Sequence, residues 1–327
     1  MSLRPTRRGL AAAAALLLPA AARAQPRWPD RPLRMVVPWA AGGGSDTLAR
    51  LLAVPMGQGL GQPVVVENRA GAGAVIGSEA VMRAAPDGTT LLLGDTPLAT
   101  VPAVQAAAGR PVPFEAARDF TAICALAEAP GLLTVQGASP FRGMADLLAA
   151  ARANPSAINF ASAGTASSTH LMLELLQMRS GVRMTHVPYR GAAPAVQDVL
   201  NGTVQATFMA LATAAPLVAS GQVRVLGVAG EARMPALPDV PTMREQGIDL
   251  VAGFWWGLLG PAGIPEPVVA RLGAAANEAM DAEAVAARLP ALGLQRLRLG
   301  PAAFRDLLAR ETTRWREVVQ AAGIVPE

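Results

Sequence analysis

Residues 33–46 read LRMVVPWAAGGGSD: a run of apolar β-formers that stops at a glycine triplet and hands over to the helical pattern TLARLLAVPMGQGL. Residues 157–170, AINFASAGTASSTH, repeat the arrangement and hand over to LMLELLQM. Each stretch is a strand, a loop of small residues and a helix whose free N–H groups point back into the loop, a device that holds an anion without a charged side chain. Two such loops imply one anionic ligand gripped from two sides.

Outward from these loops the pattern is α/β. The strand candidates LRMVVPW, QPVVVEN, TTLLLGD, GLLTVQG, INFASA, MTHVPYR, VQATFMA and VRVLGVAG alternate with helical segments such as ADLLAAARAN, PAVQDVLNG and AAFRDLLARETTRWREVVQAA. Near-continuous apolar strands between amphipathic helices predict parallel sheets covered on both faces, with ligands off the carboxyl ends of the strands. A chain of 327 residues exceeds what one hydrophobic core usually serves, so two domains are expected.

The first 24 residues read as a secretory leader. Arg4, Arg7 and Arg8 precede the apolar stretch GLAAAAALLLPAA, too short to span a bilayer, and Ala22-Arg23-Ala24 is a small-x-small cleavage signal. The Arg7-Arg8 pair leaves both the general and the twin-arginine export routes open. No cysteine follows the leader to carry a lipid, and no later run is apolar and long enough to span a membrane, so a soluble periplasmic protein without a membrane anchor is expected.

All 28 basic residues are arginine, which removes Schiff-base chemistry and the P-loop lysine. Without the four leader arginines, 24 basic residues balance 24 acidic ones, leaving no electrostatic footprint for nucleic acid. One cysteine and two histidines exclude a disulfide and a Cys/His zinc site, so no metal or cofactor is called for. Cys124, in FTAICALAEA, reads as a buried, inert thiol.

Seven motifs in order, WPDRPLRMVVPWAAGGGSDTLAR, GQPVVVENRAGAGAVIGSEAV, AAPDGTTLLLGDT, INFASAGTASSTHLMLELL, HVPYRGAAPAVQDVLNGTV, ALPDVPT and GFWWGLLGPAGIPEPVV, resemble the Bug family of extracytoplasmic solute-binding proteins of tripartite tricarboxylate transporters. The resemblance covers the chain beyond the leader. It implies a type II periplasmic-binding-protein fold, with lobe one at 25–122 and 229–327, lobe two at 123–228, and hinges near Thr121–Leu126 and Val225–Gly230. It further implies a monomeric receptor that closes on a small carboxylate and serves a two-subunit integral-membrane permease. The same fold also suits a sensor for a receptor kinase. A secreted hydrolase built on Ser168 and His170 is disfavoured, because acyl transfer needs a base oriented by a carboxylate and an oxyanion hole facing one strained nucleophile, and the strand–turn–helix here lacks the G-x-S-x-G elbow.

The candidate ligand contacts follow. Ala40, Ala41, Gly42 and Gly43 offer backbone N–H groups, with Ser45 near the helix start; a tight turn capped by Asp46 is the alternative. Ala41 stands where the family usually has proline. Ala72, Gly73 and Ile76 line the cleft from the same lobe, and Thr96 offers a hydroxyl. Arg69 reads either as a carboxylate contact or as the partner of Glu67 or Asp46. In lobe two, Ala163, Gly164, Thr165 and Ser168 supply N–H groups and hydroxyls, while His170 reads as a packing residue. Tyr189 is expected to cap a carboxylate, and Arg190 either grips anions or draws them to the cleft mouth. Family members read G-x-V-D-x-x-F-D where this chain has GTVQATFMA. Met209 in place of the second aspartate points to a carboxylate without an amino group. Trp255 and Trp256 belong either to the cleft wall or to the core.

Overall fold

The computed structural model describes residues 28–39, 41–42, 44–155, 157–189 and 191–324. The leader reading, together with Ala40, Gly43 and Arg190, lies outside the described residues. The chain enters a first sheet as β1 (Leu33–Val37), passes through α1 (Gly44–Leu60) to β2 (Val64–Asn68), then through a 3-10 turn (Ala72–Ala74) and α2 (Val75–Met82) to β3 (Thr90–Asp95). Helices α3 (Pro97–Ala107) and α4 (Ala116–Asp119) lead to β4 (Phe120–Pro130). After Gly131 a second sheet begins with β5 (Leu132–Gln136), followed by α5 (Met144–Ala153), β6 (Asn159–Ser162), α6 (Ser168–Ser180) and β7 (Thr185–Pro188). It continues with α7 (Ala192–Leu200), β8 (Ala206–Met209), α8 (Leu211–Ala219) and β9 (Val223–Val228). Residues 229–252 return the chain to the first sheet as β10 (Gly253–Pro261), which precedes α9 (Glu266–Asp281), α10 (Glu283–Ala286), β11 (Gln295–Leu299) and α11 (Pro301–Ala322).

The first sheet has the order β11-β4-β10-β3-β1-β2, the second β7-β6-β8-β5-β9. In the first, β1, β2 and β3 are parallel, while β10 runs against both β3 and β4. In the second, β6, β7 and β8 are parallel and β5 runs against β8 and β9. The eight strands expected from sequence are present. Strands β4, β10 and β11 are additions, and they make the first sheet mixed rather than parallel.

Successive residues of β3 show why these strands read as unbroken apolar runs. Leu91 and Leu93 join the core beneath α1 and α9, with Leu48, Leu52 and Leu272, whereas Leu92 joins the opposite core with Leu98, Phe304 and Trp315. That second core continues into the other half of the molecule through Leu171 and Leu175 of α6. The two halves thus share apolar packing as well as two chain crossings.

The crossings meet at a waist. The Gly131 N–H donates to the Ala252 carbonyl at 3.0 Å, Ala229 N–H to the Gly131 carbonyl at 2.8 Å, and Ala252 N–H to the Ala229 carbonyl at 2.9 Å. The first crossing therefore lies at Gly131 and not at 122–123, because β4 stays paired with β10 as far as Pro130. The expected hinge Thr121–Leu126 is accordingly an interior piece of β4. No helix among the described residues is long and apolar enough to cross a membrane. Cys124 is buried, and burial pushes its thiol up to about 12.

A Cβ on Gly253 would lie 2.3 Å from the Ala129 carbonyl oxygen, whereas one on Gly143 would meet nothing within 4 Å. Backbone atoms at the waist have no room to give. Gly253→Ala is expected to destabilise the protein by about 1–3 kcal/mol and Gly143→Ala by under about 0.5 kcal/mol, read as the difference in denaturant midpoints.

Candidate ligand cleft

The two sheets repeat one plan. Leaving aside the edge strand β11, the first reads β4-β10-β3-β1-β2 and the second β9-β5-β8-β6-β7, with the strand that arrives from the other half antiparallel in each. The loops after β1, β2 and β3 therefore correspond to those after β6, β7 and β8. Both sets stand at carboxyl ends of parallel strands, where open α/β sheets bind ligands.

In the first half an acid organises the loop after β1. Asp46 accepts from Gly42 N–H at 2.9 Å, Asn68 Nδ2 at 2.9 Å and Arg50 Nε at 3.0 Å. The Arg50 bond, with that of Gly42, holds its carboxyl down to about 2. Asn68 also donates to the Trp39 carbonyl, which pins the end of β2 to the loop. Beneath lies Asp95, the last residue of β3. Its Oδ2 accepts from Trp39 Nε1 at 2.5 Å and from Ser45 Oγ at 2.9 Å, and Ser45 in turn accepts from Trp256 Nε1 at 2.8 Å. Asp95 Oδ1 is buried without a hydrogen-bond partner, and burial lifts this carboxyl to about 6.

In the second half the loop is closed by neutral groups. Thr169 Oγ1 accepts from Ala163 N–H at 2.9 Å, Ser162 Oγ from Gly164 N–H at 3.1 Å, and His170 Nδ1 from Ala166 N–H at 2.9 Å. His170 stacks on His186 with ring centroids 3.6 Å apart, and His186 Nε2 lies 2.6 Å from Ser162 Oγ. Ser162 Oγ donates to the Gly164 carbonyl, so His186 Nε2 is the donor in that contact. Burial and the neighbouring His170 lower His186 to about 4, which keeps it neutral at pH 7. Among the described residues the amides of Thr165, Ser168 and Thr169 have no acceptor. They are the open donors of this loop, at the N-terminus of a helix of 13 residues.

Several expected contacts turn inward. The Gly42, Ala163 and Gly164 amides are consumed by side chains of their own loops, and Ser45 is spent on Asp95 and Trp256. Thr96 is fully buried, accepting from Trp255 N–H at 3.0 Å. The Tyr189 hydroxyl, expected to cap a carboxylate, donates instead to Asp198 at 2.5 Å. Met209 is 3% exposed and packs with Leu132, Ala161 and Leu211, so it cannot form a cleft wall. Arg69 is paired with Glu67 at 2.5 Å. Trp255 packs edge-on against Phe304, while Trp256 braces Ser45. Ser168 and His170 share no hydrogen bond; His170 Nε2 lies 3.5 Å from Glu174.

Ala41, Ala72 and Gly73 remain exposed in the loops of the first half, and Ile76 in the first turn of α2. Ala72 (φ 46°), Ala74 (φ 80°) and Ala166 (φ 64°) are the non-glycine residues with positive φ among those described. All three lie in the loops at these strand ends. Left-handed alanine costs about 1–2 kcal/mol, and such strain gathers where a site fixes its backbone.

Sequence reading passed over Trp39, Asn68, Asp95, Ser162 and His186. Asn68, Asp95 and Ser162 each close a strand, so a polar residue ending an apolar run was the available signal.

The family described as the tripartite tricarboxylate transporter family receptor matches residues 48–324. The chain belongs to this family. Among its relatives, a UPF0065 protein encoded between tcbD and tcbE in Pseudomonas sp. (strain P51) is 39% identical over 319 residues, covering 96% of this chain and 93% of the relative. Protein BugT of Bordetella pertussis is 34% identical, covering 90% of each. Of solved structures, MatC from Rhodopseudomonas palustris with bound malate is 36% identical with a TM-score of 0.72, covering 89% of this chain and all of the other (100%). A second R. palustris protein, with adipate, is 31% identical with a TM-score of 0.77, covering 92% and 100%. The fold is that of the family's solute-binding receptors.

Asp95 gives the cleft a pH signature. Unfolded, its carboxyl ionises near 3.8; folded, near 6. Between these values the native state holds the extra proton, so stability falls as pH rises through the window and the deficit persists above it. Asp95→Asn keeps an acceptor for Trp39 and Ser45. It is expected to be close to neutral at pH 4 and to stabilise by on the order of 2 kcal/mol at pH 8, measured by urea unfolding at both pH values.

Proposed function

We propose that this chain is a periplasmic receptor that closes two lobes on a small dicarboxylate and delivers it to a two-subunit integral-membrane permease. The observation that carries this reading is the matched pair of loops on the two sheets, each opening a helix. One loop per lobe suits a ligand with a carboxylate at each end. The malate and adipate held by the two R. palustris structures are of that kind. In the second lobe the Thr165, Ser168 and Thr169 amides and the Thr165 and Ser168 hydroxyls take one carboxylate. Ala41 and the N-terminus of α1 meet the other, with Ala72, Gly73 and Ile76 against the carbon chain. Arg190 is the charged candidate for the same carboxylate.

Lobe one comprises the first sheet and its helices, lobe two residues 132–228, and they swing about Gly131 and 229–252. Because the ligand touches both lobes only when they are closed, its differential affinity drives closure, and the permease distinguishes closed from open. The leader reading places the protein in the periplasm. With Met209 buried, discrimination against amino acids does not rest on that residue.

Thermal unfolding of the leaderless protein with malate, adipate, citrate, benzoate and glutamate tests the binding. A dicarboxylate is expected to add about 2.7 kcal/mol at a hundredfold excess over its dissociation constant, and Ser168→Ala to weaken that affinity by roughly tenfold. A panel without any shift, or a shift confined to glutamate, would overturn this reading. The transport half is checked by uptake of the same ligand in cells lacking the gene, where undiminished uptake would refute it.

A further inference from the structure

A cavity of about 420 Å³ lies away from the ligand loops, behind the waist. Its walls come from both lobes: Leu175 and Arg179 of α6 on one side, Leu297 and Leu299 of β11 with Leu307 and Arg310 of α11 on the other. The crossing segments, including Pro130, Ala229 and Ala252, form its floor. In the first sheet β4 and β10 separate β11 from the strands whose ends carry the ligand loops. The cavity is therefore on the far side of the hinge from the cleft.

Four arginines and four acids share the wall, but they are not all paired. Arg244 is occupied by Glu231 and Asp249, and Arg314 donates to the Val251 carbonyl and to Glu311. Arg179 and Arg310 have neither a hydrogen bond nor an ion pair among the described residues, although Asp249 and Arg314 feel the charge of Arg179. Glu128 is the unpaired acid of the wall, and its burial and the proximity of Glu231 favour its neutral form. Two further donors are unspent: Arg314 Nε and, on a residue only 5% exposed, Trp255 Nε1 are both buried without an acceptor. Such groups are costly unless something meets them. Beside these cations stand the leucines and Phe254, so the wall combines two arginines without partners among the described residues with an apolar surface.

We propose that this cavity is a second binding site, for an amphiphilic monoanion with a carboxylate head and a short apolar chain, held by Arg179 from lobe two and Arg310 from lobe one. Its volume falls in the range of small-molecule sites. Groups behind a hinge approach one another as the front opens, so an occupant wedged between Arg179 and Arg310 opposes opening and raises affinity in the cleft. By linkage, the cleft ligand strengthens rear binding by the same factor. This coupling rests on the cleft reading above; the rear site does not.

Calorimetric titration of the protein with octanoate tests it. Arg179→Gln and Arg310→Gln, both at exposed positions, are each expected to weaken octanoate at least about tenfold, the usual loss for a charge-assisted hydrogen bond, with unchanged unfolding midpoints in its absence. Leu307→Trp, which fills the cavity, should give the same loss. Thr165→Trp, which obstructs the front cleft, should leave octanoate bound. Absence of octanoate binding, indifference to all three rear substitutions, or a loss confined to Thr165→Trp would overturn the proposal. Malate and adipate shifts in the same preparations report the cleft separately.

Discussion

The hydrogen bonds that tie Gly131, Ala229 and Ala252 together are the constraint on which the rest of the structure depends. A sheet that receives a strand from the other half must take it antiparallel, and each sheet does so, with β10 between β3 and β4 and β5 between β8 and β9. That shared insertion fixes the common strand order, and the order sets equivalent loops on the two halves. Residues at the waist are small because the backbones nearly touch. A side chain on Gly131 would come within 2.7 Å of Met172 Sδ, and one on Gly253 within 2.9 Å of Pro130 Cα.

On this frame the two loops solve the same problem with different chemistry. Lobe one shapes its loop with carboxylates: Asp46 consumes the Gly42 amide, while Asp95 gathers Trp39 and Ser45. Lobe two uses neutral acceptors, Thr169, Ser162 and a His170 ring stacked on His186. Since acids lining a site repel an anion, the acids of lobe one must be neutralised or hidden. Asp46 is paired with Arg50, and Asp95 is buried where burial favours its protonated form. The second loop needs no such protection and leaves its Thr165, Ser168 and Thr169 amides unpaired. The sequence's arginine-only basic composition fits recognition of this kind, in which many cations are committed to neighbours such as Glu67, Glu245 and Asp281.

Much of the fold was legible because eight strands carry apolar runs that end in loop residues. What escaped was set by long-range pairing. FTAICALAEAP is mostly apolar, and nothing in it marks whether it belongs to the first sheet or turns into the second. Its partner across the sheet, β10, lies more than a hundred residues away in sequence. At the site, sequence located the loops but not the direction of their side chains. Tyr189 and Met209 stand at strand ends as expected, yet Asp198 and the core around Leu211 claim them. Whether a residue faces ligand or neighbour is decided by contacts such as Tyr189 to Asp198, which no local pattern records.

The left-handed alanines show what the loops are built to do. Glycine at positions 72, 74 and 166 would relieve the backbone, and this chain uses glycine freely elsewhere in positive φ. Alanine there restricts the unfolded and ligand-free ensembles more than glycine would, so less conformational freedom remains to be lost when an anion binds. The strain is tolerable because neighbouring contacts over-determine each loop: Ala166 N–H is held by His170, and the turn at 72–74 is followed directly by α2. On the proposed receptor reading, a constrained loop on each half turns ligand recognition into a question of how far apart the halves stand. That distance is set at the waist, where the cleft and the rear cavity share the same two crossing segments, so whatever fixes the rear spacing must also bias the front.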